Sequence, residues 1–93
     1  MTQQKPTKVY VPVEVLFDEN GEMRPHSITW EDGRKYEIDQ VTDIRPAPAR
    51  KAGGQGDRYT IWIKGKQSYL FFERAATVSR CNLGKWFVER RSA

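Results

Sequence analysis

The sequence predicts an all-β domain, a small and strongly bent antiparallel sheet or SH3-like barrel of about six strands. Three observations predict it. Apolar residues alternate at period two in several short runs, the longest from Val9 to Phe17. Turn-forming pairs such as Asn20-Gly21 and Asp32-Gly33 separate those runs. No stretch carries the sustained 3.6-residue apolar repeat of a long helix.

Residues 1–7 are polar, contain Pro6 and read as a tail preceding a single domain over residues 8–91. From Lys8 the parity of Val9, Val11, Val13, Val15 and Phe17 describes a half-buried strand. Pro12 has no N–H to give to a ladder, so this strand belongs at an edge or carries its proline at an unpaired position. After the turn at Asp18 to Gly21, Arg24 to Glu31 returns antiparallel to it. Asp32-Gly33 suits a two-residue type I′ turn into a third strand beginning at Arg34. The apolar phase there changes between Ile38 and Val41, which implies a β-bulge near Asp39-Gln40 or a strand ending at Asp39 with a separate piece over Val41 to Ile44.

Arg45 to Asp57 holds two prolines, three glycines and three basic residues and reads as a long irregular connection. Arg58 to Lys64 resumes the alternation, with Tyr59, Ile61 and Ile63 on one face and Thr60 and Trp62 on the other. A Gly65-Lys66 turn leads to a strand ending at Glu73, whose Tyr69-Leu70-Phe71-Phe72 core is apolar on both faces, as in a central or covered strand. Ala75 to Val78 suits a helical turn, Asn82 and Gly84 mark another turn, and Lys85 to Arg90 forms the last strand, paired with Tyr69 to Phe72.

Ninety-three residues suffice for one modest core, and four Phe, four Tyr and three Trp must supply much of it. One cysteine, Cys81, and one histidine, His26, exclude an internal disulfide and a zinc site of the four-ligand Cys/His kind. No apolar leader or membrane-length run is present, so a soluble cytoplasmic protein is expected. The net charge of +4 is unevenly spread. Residues 1–44 carry five Lys/Arg against nine Asp/Glu, giving −4; residues 45–93 carry eleven against three, giving +8. That asymmetry points to an anionic partner.

The combination of Pro12-Val13-Glu14-Val15, Trp30-Glu31-Asp32-Gly33-Arg34-Lys35-Tyr36-Glu37-Ile38 with Asp43-Ile44-Arg45, Tyr69-Leu70-Phe71-Phe72-Glu73 and Trp86-Phe87-Val88-Glu89-Arg90 resembles small bacterial proteins classed as domains of unknown function. The resemblance covers most of residues 8–91. It implies a stand-alone bacterial domain and assigns no functional residue.

No catalytic constellation is legible. Glu37, Asp39 and Asp43 can be paired as carboxylates on strand faces, but they have no histidine or metal-binding companion and read as solvated charges. His26 lacks a nucleophile motif, and Cys81, although near Arg80 and Lys85, lacks a partner base. Gly53-Gly54-Gln55-Gly56 lacks the Lys-Ser/Thr ending of a phosphate loop. A non-enzymatic protein without cofactor or metal is expected.

The stronger pattern is a binding surface. Arg45, Arg50, Lys51 and Arg58 bracket the long connection, Lys64 and Lys66 sit at the next turn, and Tyr59 and Trp62 lie between them. Cations interleaved with aromatics suit phosphate neutralisation and base stacking, so nucleic acid or another polyanion is the expected partner. Tyr59 shares the face of Ile61 and Ile63 and belongs to the core, which leaves Trp62 as the accessible aromatic. The alternative is a protein-interaction module in which Trp30, Tyr36, Trp62 or Trp86 lines a groove, with acidic hairpins at Asp18, Glu19, Glu22, Glu31 and Asp32 suited to a basic partner.

Overall fold

Proline at position 12 divides the first alternating run between two sheets. The computed structural model describes residues 7–46, 56–75 and 82–90. Its eight strands are β1 (Thr7–Tyr10), β2 (Val13–Phe17), β3 (Met23–Thr29), β4 (Lys35–Glu37), β5 (Gln40–Pro46), β6 (Gly56–Ile63), β7 (Lys66–Arg74) and β8 (Gly84–Arg90). All pairings are antiparallel, in a five-stranded sheet of order β1-β8-β7-β6-β5 and a three-stranded sheet of order β2-β3-β4. The all-β class stands as expected. About six strands becomes eight, and the two sheets do not close into a barrel.

Both extra strands arise where the chain changes sheet. Val11 donates its N–H to the Trp86 carbonyl at 3.1 Å, continuing β1 along β8, while the Pro12 carbonyl accepts from the Thr29 N–H at 3.0 Å and hands the chain to β3. β1 and β2 are accordingly edge strands, where a residue without N–H is tolerated. Between β4 and β5 the Ile38 N–H still bonds His26 in the smaller sheet, whereas the Asp39 N–H bonds Trp62 in the larger. The apolar phase change is therefore a change of sheet. The register shift itself lies further on, between Val41 and Asp43.

The tight turns depart from the two-residue expectation in one place and shift in another. At Asp32-Gly33 only Gly33 has positive φ, at 85°, with its N–H bonded to the Trp30 carbonyl and the Trp30 N–H bonded to Arg34. This is a three-residue turn with glycine in the left-handed position, not type I′. The β6–β7 turn is centred on Lys64-Gly65, one residue earlier than expected, and both φ values are positive. That is the type I′ requirement met by a lysine and a glycine.

The core lies between the sheets. Val11 and Ile28 meet Tyr59, Ile61, Leu70, Phe72 and Val88, with Ile61 and Leu70 the most deeply buried. Trp86 packs at its margin, its ring 5.2 Å from that of Tyr59 and 4.8 Å from that of Phe72. Trp30 and Ile38 also pack against this core; Tyr36 lies under the Lys64 ammonium. Residues 1–6, 47–55, 76–81 and 91–93 lie outside the described residues, and with them most of the tail, the glycine-rich stretch, the helical turn expected over Ala75 to Val78, and Cys81.

Candidate functional site

Strand parity gives the five-stranded sheet a second face, turned away from the core. Directly paired residues share a face, and pairing carries one row across all five strands: Arg45, Arg58, Phe71, Phe87 and Tyr10. A second row sets Asp43, Thr60 and Tyr69 side by side, and a third sets Gln40, Trp62 and Gln67. The outer face thus carries two guanidinium groups at its β5–β6 end and rings across β6, β7, β8 and β1.

The rings form a connected layer. Phe71 and Phe87 stack with centroids 5.0 Å apart and planes 6° from parallel, and Tyr10 meets Phe87 edge-on at 5.8 Å. Phe87 is only 7% exposed yet lies outside the core cluster, so it supports its neighbours from beneath and does not itself present a free face. Tyr69 is 44% exposed. Cations lie against these rings: Lys8 Nζ is 4.7 Å from the Phe87 centroid, Lys85 Nζ 5.3 Å from that of Tyr10, and the Arg58 guanidinium 4.8 Å from that of Tyr69. Such placements are weakly attractive and hold each ammonium or guanidinium above the sheet.

Two acidic groups on this face, Glu73 and Asp43, are engaged, while the exposed Glu89 stands opposite Lys8. Glu73 accepts from Lys8 Nζ at 3.1 Å and from the Tyr10 hydroxyl at 3.0 Å, and Asp43 accepts from Arg45 Nε at 2.7 Å. The Lys8 hydrogen bond holds the Glu73 carboxyl below the usual carboxylate range; partial burial opposes this, while Tyr10 and Lys85 reinforce it. The Tyr10 hydroxyl is pushed up by burial and by Glu73, and stays a donor at neutral pH. Because the folded Glu73 pKa lies below its unfolded value of about 4.3, its stabilising contribution is complete above that pH and disappears as pH falls through the folded value. Glu73→Gln is therefore expected to melt below wild type at pH 7, with the difference vanishing in strong acid. Thermal melts across pH 2 to 7 check this, and a constant difference would contradict it.

Of the sequence-predicted binding residues, Arg45, Arg58 and Trp62 come together on this outer face. Trp62 is half-buried, its Nε1 donating to Thr42 Oγ1 at 3.3 Å, and Tyr59 is buried on the core side as its parity requires. Lys64 leans the other way, towards Tyr36 of the smaller sheet, with its backbone N–H bonded to Asp39. Lys66 pairs with Ile63 and so takes the core-side parity at the sheet's end. Arg50 and Lys51 lie outside the described residues. The basic second half also meets the acidic first half in space, as in Arg90 with Glu31 at 2.8 Å.

Sequence reasoning missed Tyr10, Phe71, Phe87, Lys8 and Lys85. The apolar-on-both-faces character of β7 signalled Phe71, but nothing local signals that β1 and β8 are neighbours. No family model, curated protein or solved structure matches the chain.

Proposed function

We propose that the protein binds single-stranded nucleic acid across the outer face of its five-stranded sheet. The observation that carries this reading is the row Arg45, Arg58, Phe71, Phe87 and Tyr10, in which cations at one end give way to rings at the other. Arginines neutralise phosphates, and exposed rings offer stacking surfaces to unpaired bases whatever their sequence. A duplex hides its base faces and gains only the charge term, so the same surface favours single strands. Trp62 and Tyr69 extend the platform along β6 and β7.

Fluorescence anisotropy with labelled single- and double-stranded DNA and RNA at two salt concentrations tests the proposal. Single strands are expected to bind more tightly, and less so at high salt. Phe71→Ala is expected to cost about 1–3 kcal/mol of single-strand affinity, the range for losing one stacked base, and Trp62→Ala to weaken single-strand more than duplex binding. Absence of binding at low salt would overturn the reading.

A second reading, capture of an extended protein segment, is favoured by a cleft of about 520 Å³ between the start of β3 and β5. It is lined by Met23, Val41, Ile44 and Tyr59 with charged Glu22, Arg24 and Asp43 at its rim, and Ile44 is 52% exposed beside the unpaired β5 edge. A partner retained at high salt after nuclease digestion would favour this second reading.

A further inference from the structure

We propose that the Arg45–Arg58 pair is an oxyanion clamp holding one phosphate of the bound strand, with Arg58 making the directional contact. The inference rests on the nucleic-acid reading and goes beyond it by assigning the phosphate to one rung of the sheet. Arg45 and Arg58 stand directly opposite each other on neighbouring strands, an arrangement in which like charges repel until an anion lies between them. Arg45 has a carboxylate in Asp43, and Asp57, next to Arg58 in sequence, is taken by Arg74 at 3.2 Å. Among the described residues Arg58 has no carboxylate partner.

The decisive feature is the Arg58 Nε, a buried donor without a hydrogen-bond partner. An unmet buried N–H is destabilising in the free protein, and a phosphate oxygen relieves it. The guanidinium carbon lies 4.8 Å from the Tyr69 ring centroid, a cation–π contact that holds it near the outer surface, where a change in the side-chain torsions can re-aim it. Turning brings the Nε–H and its neighbouring Nη–H out as a fork that matches two phosphate oxygens. Phe71 follows Arg58 on the same row, with neighbouring strands about 4.8 Å apart, so a base attached to the gripped phosphate falls on the Phe71 ring. A purely structural Arg58, packing only its aliphatic stem, has no use for this fork.

Arg58→Lys separates the clamp from simple charge, since it keeps the cation and removes both the Nε–H and the guanidinium fork. In ¹⁵N spectra of wild type, the Arg58 Nε–H signal is expected to shift saturably with inorganic phosphate and with a short oligothymidylate. Comparing the oligonucleotide with and without a 5′-phosphate tells a terminal monoester from an internal diester, the larger shift marking the preferred source. Arg58→Lys is expected to bind the oligonucleotide roughly tenfold more weakly with an unchanged salt slope, because the charge count is unchanged. Wild-type affinity in Arg58→Lys, or an unmoved Nε–H signal in the saturated complex, overturns the clamp even where nucleic acid binds. If no oligonucleotide binds wild type, the broader reading fails, and the response of Nε–H to phosphate alone still decides the clamp. Should Arg58→Lys fail to fold, the wild-type signal gives the answer.

Discussion

Leu70→Ala lowers stability by about 3 kcal/mol, within the range for truncating a fully buried leucine. Leu70 is 0% exposed at the centre of β7, the middle strand of the larger sheet, and belongs to the same buried cluster as Ile61 and Tyr59. For a domain of this length, each kcal/mol corresponds to roughly 4–8 °C, so the melting temperature falls by roughly 12–24 °C. The shape-tolerant Leu70→Met is expected to cost less than about 1.5 kcal/mol. Thermal and urea unfolding check both, and equal losses for the two would contradict the packing argument. Tyr69 and Phe71 flank Leu70 and point to the other face, so Leu70→Ala that remains folded retains oligonucleotide binding. That separates damage to the core from damage to the platform.

Much of the fold is legible in the chain because the signals that create it are local. Period-two alternation marks β1, β2 and β6, an apolar run marks β7, the glycine turns close the β2–β3, β3–β4 and β6–β7 hairpins, and the pairing of the last strand with Tyr69 to Phe72 follows from their matched apolar content. What local reasoning merged, at Val11-Pro12 and at Ile38-Asp39, are places where one continuous extended segment serves two sheets; extended backbone looks the same on either side of such a switch. The candidate site divides the same way. Arg45, Arg58 and Trp62 were visible because they sit on adjacent strands around one turn or loop. Tyr10, Lys8 and Phe87 were not, because only a pairing between opposite ends of the chain brings them beside Phe71.

Gly84→Ala is expected to cost about 2–3 kcal/mol, the upper part of the range for overpacking. Gly84 has φ of +155° where β8 begins opposite Arg74, and an added Cβ would lie 2.3 Å from the Glu73 carbonyl oxygen and 2.6 Å from Phe72 Cζ. A backbone oxygen cannot swing aside as a side-chain tip can, so β7 and β8 must separate at this end. The Trp86–Phe72 contact opens with them, and the near-ultraviolet circular dichroism of the tryptophans reports it alongside the urea midpoint. Gly33→Ala, where a Cβ meets nothing within 4 Å, isolates the cost of positive φ alone and is expected to be milder. Equal losses at the two positions would show that the crowding at Gly84 is relieved without strand separation.

The pairing of β1 with β8 has a consequence for how the molecule is made. The smaller sheet, β2-β3-β4, is contiguous in sequence and has all its strands early in synthesis, whereas in the larger sheet β1, although made first, has no neighbour to pair with until β8 has left the ribosome. Pairing between distant segments carries the largest loop-closure cost and comes late in folding. The row that joins Phe71 to Phe87 and Tyr10 is therefore assembled last, so a nascent chain truncated before β8 holds its arginines beside Tyr69 and Phe71 but lacks the Phe87 and Tyr10 end of the row.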